Sequence, residues 1–129
     1  MGSPAIDVKD ILITDADFTF AENTFVGSIP EEVDVVIGIL DGPGASPEGI
    51  SDISYPSVQV SVRGEPYGYS AAYDLADSIK TILHAYEGGV TKNGSWYIGI
   101  WADSDPIFLG LDEKNRPEFV INFRIQRSP

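Results

Sequence analysis

Ser57-Val58-Gln59-Val60-Ser61-Val62-Arg63 alternates without a break, apolar residues at even positions and polar ones at odd positions. A period of two places Val58, Val60 and Val62 on one face of a strand and Gln59, Ser61 and Arg63 on the other, so the strand is half-buried. The segment that follows changes period. From about Ser70 to Tyr86, the residues Ala72, Leu75, Ala76, Ile79, Ile82, Leu83 and Tyr86 form one apolar stripe, with Asp74, Asp77, Lys80 and Thr81 largely opposite. That pattern predicts an amphipathic helix. Asp74 and Asp77 lie toward its N-terminal end, where they suit the helix dipole, and Gly88 is placed for a left-handed cap. A strand with one apolar face and a helix with one apolar stripe must cover each other, which makes this an α+β layer.

Working outward, Val33 to Leu40 is apolar on both sides apart from Asp34 and Gly38. It reads as a central strand, or as one with a face buried by a partner chain. Phe18 to Ile29 reads as an irregular or edge strand ending at Pro30. Ser3-Pro4 opens a short helix, with Val8, Ile11 and Leu12 on one face. Asp41-Gly42-Pro43-Gly44-Ala45-Ser46-Pro47 begins a long loop reaching about Ser54. Downstream, Trp96 to Trp101, Ile107 to Leu111 and Phe119 to Ile125 alternate again, and Asp112 to Pro117 forms the turn between the last two strands. The expected fold is α+β: a mostly antiparallel sheet of about four to five strands packed against one long helix and a short N-terminal helix. The 129 residues make a single domain, with 1–4 as a flexible N-terminus and 5–127 as its body.

At 14.0 kDa and 43% hydrophobic residues, such a domain hides roughly two-thirds of its unfolded surface and folds without staples. It contains no cysteine and a single histidine, His84, which excludes thiol chemistry and disulfides and leaves most transition-metal sites without ligands. Val35 to Leu40 is far too short to cross a bilayer, and no basic region precedes an apolar stretch at the N-terminus, so neither a membrane partner nor a signal peptide is expected. The net charge is −12, and it is unevenly spread: residues 1–60 carry eleven acids and only Lys9 as a base. A duplex binder needs cations to displace counterions, so a direct grip on nucleic acid is not expected; an acidic wall can keep passing DNA from sticking, and from charge alone it equally serves to keep a small protein soluble.

No constellation specifies a reaction. His84 sits near the helix end beside its polar face and reads as solvated. Asp41-Gly42-Pro43-Gly44 follows a strand as a phosphate loop does, but Pro43 removes a donor, Pro47 takes the third glycine's place and no helix pattern follows. Asp15-Ala16-Asp17 and Asp103-Ser104-Asp105 lack the glycine and the downstream glutamate of a calcium loop. Asn93-Gly94-Ser95 matches a glycosylation sequon and, more strongly, a turn before a strand. Catalytic, cofactor and metal residues are therefore expected to be none.

Several stretches carry a resemblance. Tyr55-Pro56-Ser57-Val58-Gln59-Val60-Ser61-Val62-Arg63-Gly64, followed by Tyr67 to Tyr69 and the Ala-rich helix, resembles the core of the siphophage tail-terminator family, also labelled minor capsid or tail completion proteins. Gly94 to Trp101, Asp105 to Gly110 and Arg116 to Ile125 are similar to its closing strands, and Ile6 to Leu12 to its first helix. Asn115 stands where the family pattern leads one to expect glycine, and asparagine also tolerates a left-handed backbone. The acidic segment from Phe18 to Asp34 matches least.

The resemblance implies a structural virion protein of the tail or neck, assembled in the host cytoplasm. It implies a homo-oligomer, a sixfold ring, that caps the tail tube, ends its polymerisation and meets the head–tail connector or stopper protein. DNA passes through without specific binding. Copies this acidic pack only where acids avoid the contacts, so Arg63, Arg116, Arg124 and Arg127, with the aromatic Tyr67, are the candidates for subunit or tube interfaces. Two rival classes stand beside this reading: a hydrolase using acidic pairs and a metal, and a small acidic ligand-binding module with an aromatic pocket from Trp96, Tyr97 or Trp101. Within phage particles the alternative is another head–tail joining or tail-tube component.

Overall fold

A computed structural model of the chain describes residues 2–15, 23–45, 53–86 and 88–129. The first helix, α1 (Pro4–Asp10), starts as the Ser-Pro pair predicts: Ser3 is the N-cap, its hydroxyl accepts from the Ile6 N–H, and Pro4 occupies the first turn. A π-helical turn, Ile11–Asp15, continues it. Then come β1 (Thr24–Val26), β2 (Val36–Asp41), β3 (Ser57–Arg63), α2 (Tyr69–Leu83), β4 (Val90–Lys92), β5 (Ser95–Ala102), β6 (Ile107–Leu111) and β7 (Pro117–Ser128).

The strands form one seven-stranded sheet in the order β1-β2-β3-β7-β5-β4, with β6 also on β7. This is larger than the expected four to five strands, and it is mixed, because β1 and β2 run parallel while the other pairings are antiparallel. Two short strands account for much of the difference. β1 covers three residues of the segment read from Phe18 to Ile29, whose residues 18–22 lie outside the described part. β4 pairs with β5 across Asn93-Gly94, whose φ angles of 48° and 82° suit a two-residue hairpin turn.

The core lies on the face that α1 and α2 cover. Val58, Val60 and Val62 are buried there with Ile37, Ile39, Ala72, Ala76, Ile79, Leu83, Phe119, Ile121 and Phe123, as the alternation predicts. The helix stops at Leu83, three residues short of the expected end. Tyr86 instead bridges to Ile100 of β5. Gly88 is left-handed as expected, at φ 69°, but the residue just past the helix cap is Ala85, at φ 57°; Gly88 instead packs its backbone against β5 so closely that a Cβ would lie 2.3 Å from the Ile98 carbonyl.

β2 is internal, between β1 and β3, and its second face is covered from within the chain: Ile29 lies over Gly38, where a Cβ would come within 2.5 Å of Cδ1. The last hairpin turn is closed by Asp112, whose Oδ1 accepts from the Lys114 and Arg116 N–H groups at 2.9 Å, with Asn115 left-handed at φ 61°. β6 departs from expectation. The sequence reading takes it as alternating, with one face to be buried, but Ile107, Phe108, Leu109 and Leu111 are all exposed.

Candidate assembly surface

The five residues singled out by sequence do not converge on one site. Arg116 is fully buried, the largest such side chain among the described residues. Its Nε donates to Asp112 Oδ2 at 2.8 Å, Nη2 to Glu31 Oε2 at 2.9 Å, and Nη1 to the Glu31 carbonyl at 2.9 Å. Arg63, at the end of β3, lies on the same segment, and its Nη2 donates to the carbonyls of Pro30 at 2.6 Å and Val33 at 2.5 Å. Glu31 also faces Arg63 at 3.7 Å, so one exposed carboxylate answers both guanidiniums. The two arginines thus tie residues 30–34 to the ends of β3 and β7. A buried guanidinium persists because carbonyls and carboxylates satisfy its donors.

Burial works against the Asp112 carboxylate, yet hydrogen bonds from the Arg116 N–H, the Arg116 guanidinium and the Lys114 N–H hold its pKa below the usual range. Arg127 is buried at the opposite end of β7, where Nη1 donates to the Gly2 carbonyl at 2.9 Å and to the Tyr97 hydroxyl at 3.3 Å. Arg124 and Tyr67 are different. The Arg124 side chain is 70% exposed and pairs with Asp103 at 2.5 Å. Tyr67 is 74% exposed on a left-handed turn at φ 60°, held by its N–H on the Asn115 carbonyl at 2.8 Å.

Counting the remaining pairs, Lys80 with Asp105 and Lys92 with Asp10, at least six of the eight bases form ion pairs with described residues of the chain. The outward surface is correspondingly acidic. Sequence reading placed these arginines at interfaces because copies this acidic must keep their acids out of the contacts. Their partners, such as Glu31 at a separation of 85 residues, carry no local signal.

The motifs weighed for chemistry are occupied in other ways. Asp103 and Asp105 each face a base. Gly42 and Gly44 spend their N–H groups on the Ser57 carbonyl and hydroxyl, so no cradle of donors points outward. His84 Nδ1 accepts from the Ala102 N–H at 2.9 Å. Asp17 and Pro47 lie outside the described residues. Among the described residues no three histidine or carboxylate side chains gather as metal ligands would, and no helix is long and apolar enough to cross a membrane. A cavity of about 650 Å³ opens between Tyr55, Pro56, Trp101 and the Arg124–Asp103 pair. Trp101 lines it, whereas Tyr97 is fully buried in the core, so the aromatics weighed for a pocket are not gathered together.

What sequence reasoning missed is β6: four large apolar side chains on a strand whose described ladder partner is β7 alone. The signal was the run Ile107-Phe108-Leu109 itself, which is apolar on both faces.

Comparison with known proteins joins these observations to a family. The family model for bacteriophage tail terminator proteins matches residues 8–129. Among solved structures, the chain is similar to one from the virion of a native gene transfer agent particle, with a TM-score of 0.77 at 13% identity over 99% of this chain and 96% of that one. A second solved chain aligns with a TM-score of 0.57 at 12% identity, covering 96% of this chain and 94% of its own. At such identities the likeness is one of fold alone. No curated protein sequence matches. On the strength of the family match across nearly its whole length, the chain belongs to the bacteriophage tail terminator proteins.

Proposed function

We propose that this protein forms a sixfold ring at the end of a phage-type tail tube, stops its polymerisation and joins the tail to the head connector. The observation that carries this reading is the family match over residues 8–129. Termination then has a geometric cause: one face of the ring complements the tube end, and the other does not match a tube subunit. DNA passes without being held. The acidic surface supports that part, because with at least six of the eight bases paired to described residues of the chain few cations remain to neutralise phosphates. No reaction belongs to this role.

Of the interface candidates, Arg124 and Tyr67 are exposed enough to meet a neighbour directly. Arg63, Arg116 and Arg127 act from inside, by shaping the surfaces that meet. Electron microscopy of particles assembled without this protein tests the proposal: tails of uncontrolled length, unattached to heads, are expected. Tails of normal length joined to filled heads would overturn it, and tails of normal length without heads would point to a joining component instead.

A further inference from the structure

One edge of β6 pairs with β7, from Ile107 beside Val120 to Leu111 beside Pro117. Among the described residues, no strand and no backbone hydrogen bond meets its other edge. Its five residues, Ile-Phe-Leu-Gly-Leu, include no charge and no proline, and the large ones are 43% to 60% exposed. Proteins usually blunt an open edge with lysine, proline or a bulge, because unpaired backbone groups recruit another strand. β4 carries such a lysine, Lys92, paired with Asp10. β6 has only its short length and the register shift between Phe108 and Gly110. Those limit how long an added strand can be, and they leave the edge apolar.

Both faces of the strand are apolar. On the helix side the Phe108 ring lies 5.0 Å from that of Tyr69, itself half exposed, and 5.3 Å from that of Phe119. Ile107, one residue before, takes the opposite face beside Val120. A strand laid along β6 completes its backbone and covers apolar side chains on either face, and such strand addition draws affinity from the backbone and specificity from alternate side chains. Charge decides what kind of strand it is. At the ends of β6, Asp103, Asp105 and Asp112 each hold a base of this chain. Glu113, just past its end, and Glu118, beside Gly110 on β7, form no ion pair among the described residues, with Lys114 next to Glu113. A second copy fits poorly. In an antiparallel pair of β6 strands, the Asp103 and Asp105 end of one copy faces the Asp112 and Glu113 end of the other, and like charges set opposite one another destabilise a sheet. That copy also brings a net charge of −12, with at least six of its eight bases paired to described residues of its own chain. A segment with bases at its ends meets the same acids favourably.

We propose that the open edge of β6 takes, as an added strand, an extended segment of a different protein, apolar in its middle and basic at both ends. The inference goes beyond the ring reading above and stands whether or not the copies close into a ring.

Three blocked peptides, each added to the unmodified chain at millimolar concentration and low salt, test this. The first alternates valine and threonine between paired lysines, the second has the same core between paired glutamates, and the third is the lysine-ended peptide with proline at its centre. Amide exchange of Ile107 to Leu111 should slow at least tenfold with the first and recover in high salt, which screens the end charges. The other two should leave it unchanged. Equal protection by the glutamate-ended peptide would overturn the basic partner; equal protection by the proline peptide, which lacks a donor, would overturn strand addition. No protection by any of them would overturn the proposal outright. Leu109 is 60% exposed, so a Leu109→Lys chain should fold, checked by circular dichroism, and lose the effect of the first peptide. A folded variant that keeps the effect counts against β6 as the site. Protection of Ile107 to Leu111 by the chain's own rising concentration would make a second copy the occupant and overturn a foreign one. Native mass spectrometry keeps the ring separate: a chain that stays monomeric, yet is protected by the lysine-ended peptide, would sink the ring and support this contact.

Discussion

The Tyr97 hydroxyl donates to Asp7 Oδ2 at 2.5 Å, across ninety positions of sequence and with both residues fully buried. Asn93 Nδ2 donates to the other carboxylate oxygen at 2.6 Å, and Arg127 lies 3.6 Å away. The network fastens α1 to the far end of β5 and β7, so the N-terminal helix is held by polar bonds as well as by Val8, Ile11 and Leu12 in the core.

Tyr97→Phe keeps the ring in place and removes one donor from a buried carboxylate. The expected cost is about 1–3 kcal/mol, seen as a lower thermal midpoint. Burial, then the neighbouring Asp7, pushes the Tyr97 phenol well above its ordinary value of 10.0. An ultraviolet titration of the folded chain should therefore show one of its six tyrosines ionising late, and the variant should lack that late component. An unchanged titration in the variant would refute the assignment.

Val60 is fully exposed to the core and closed to solvent on β3, opposite Ile39 and Ile121. Val60→Asp buries a carboxylate with no partner, so a loss of several kcal/mol and no folded protein by circular dichroism are expected. A folded variant of normal stability would mean the strand's register is one residue out.

Asp112 gives an acid dependence with a definite sign. Its folded pKa lies below the ordinary value of 3.8, so its contribution is complete above that value and disappears as the pH falls through the folded one. Asp112→Asn should lower stability at pH 7 and flatten the loss of stability on acidification below about pH 5. Urea midpoints measured from pH 7 to pH 2 check this; parallel curves for the two proteins would contradict it.

Arg63 and Arg124 should respond differently to truncation. Arg124→Ala removes an exposed pair and should change stability by no more than about 1 kcal/mol. Arg63→Ala leaves the Pro30 carbonyl without its donor and the Val33 carbonyl with only the longer bond from Arg116, and should cost about 1–3 kcal/mol. Chemical denaturation of both variants decides the point, and equal costs would show that residues 30–34 are not anchored through Arg63.

What the sequence determined by itself is whatever depends on neighbours within a few residues. The alternation from Ser57 to Arg63 set which face of β3 is buried, because side chains of a strand point alternately to its two faces. The stripe from Ala72 to Leu83 set the buried side of α2, and Asn93-Gly94 and Asn115 marked left-handed turns that a branched residue could not adopt. Tertiary structure decided the rest. Parallel pairing of β1 with β2 depends on where residues 27–35 carry the chain, and no local period encodes that. Arg63, Arg116 and Arg127 look like solvated strand ends until the carbonyls of Gly2, Pro30, Glu31 and Val33 are folded onto them from the other end of the chain. β6 carries apolar residues on both faces; Phe108 meets Tyr69 of α2 and Phe119, yet all four of its large side chains stay substantially exposed. Local periodicity states which residues can share a face; only packing across the whole chain decides whether anything covers that face.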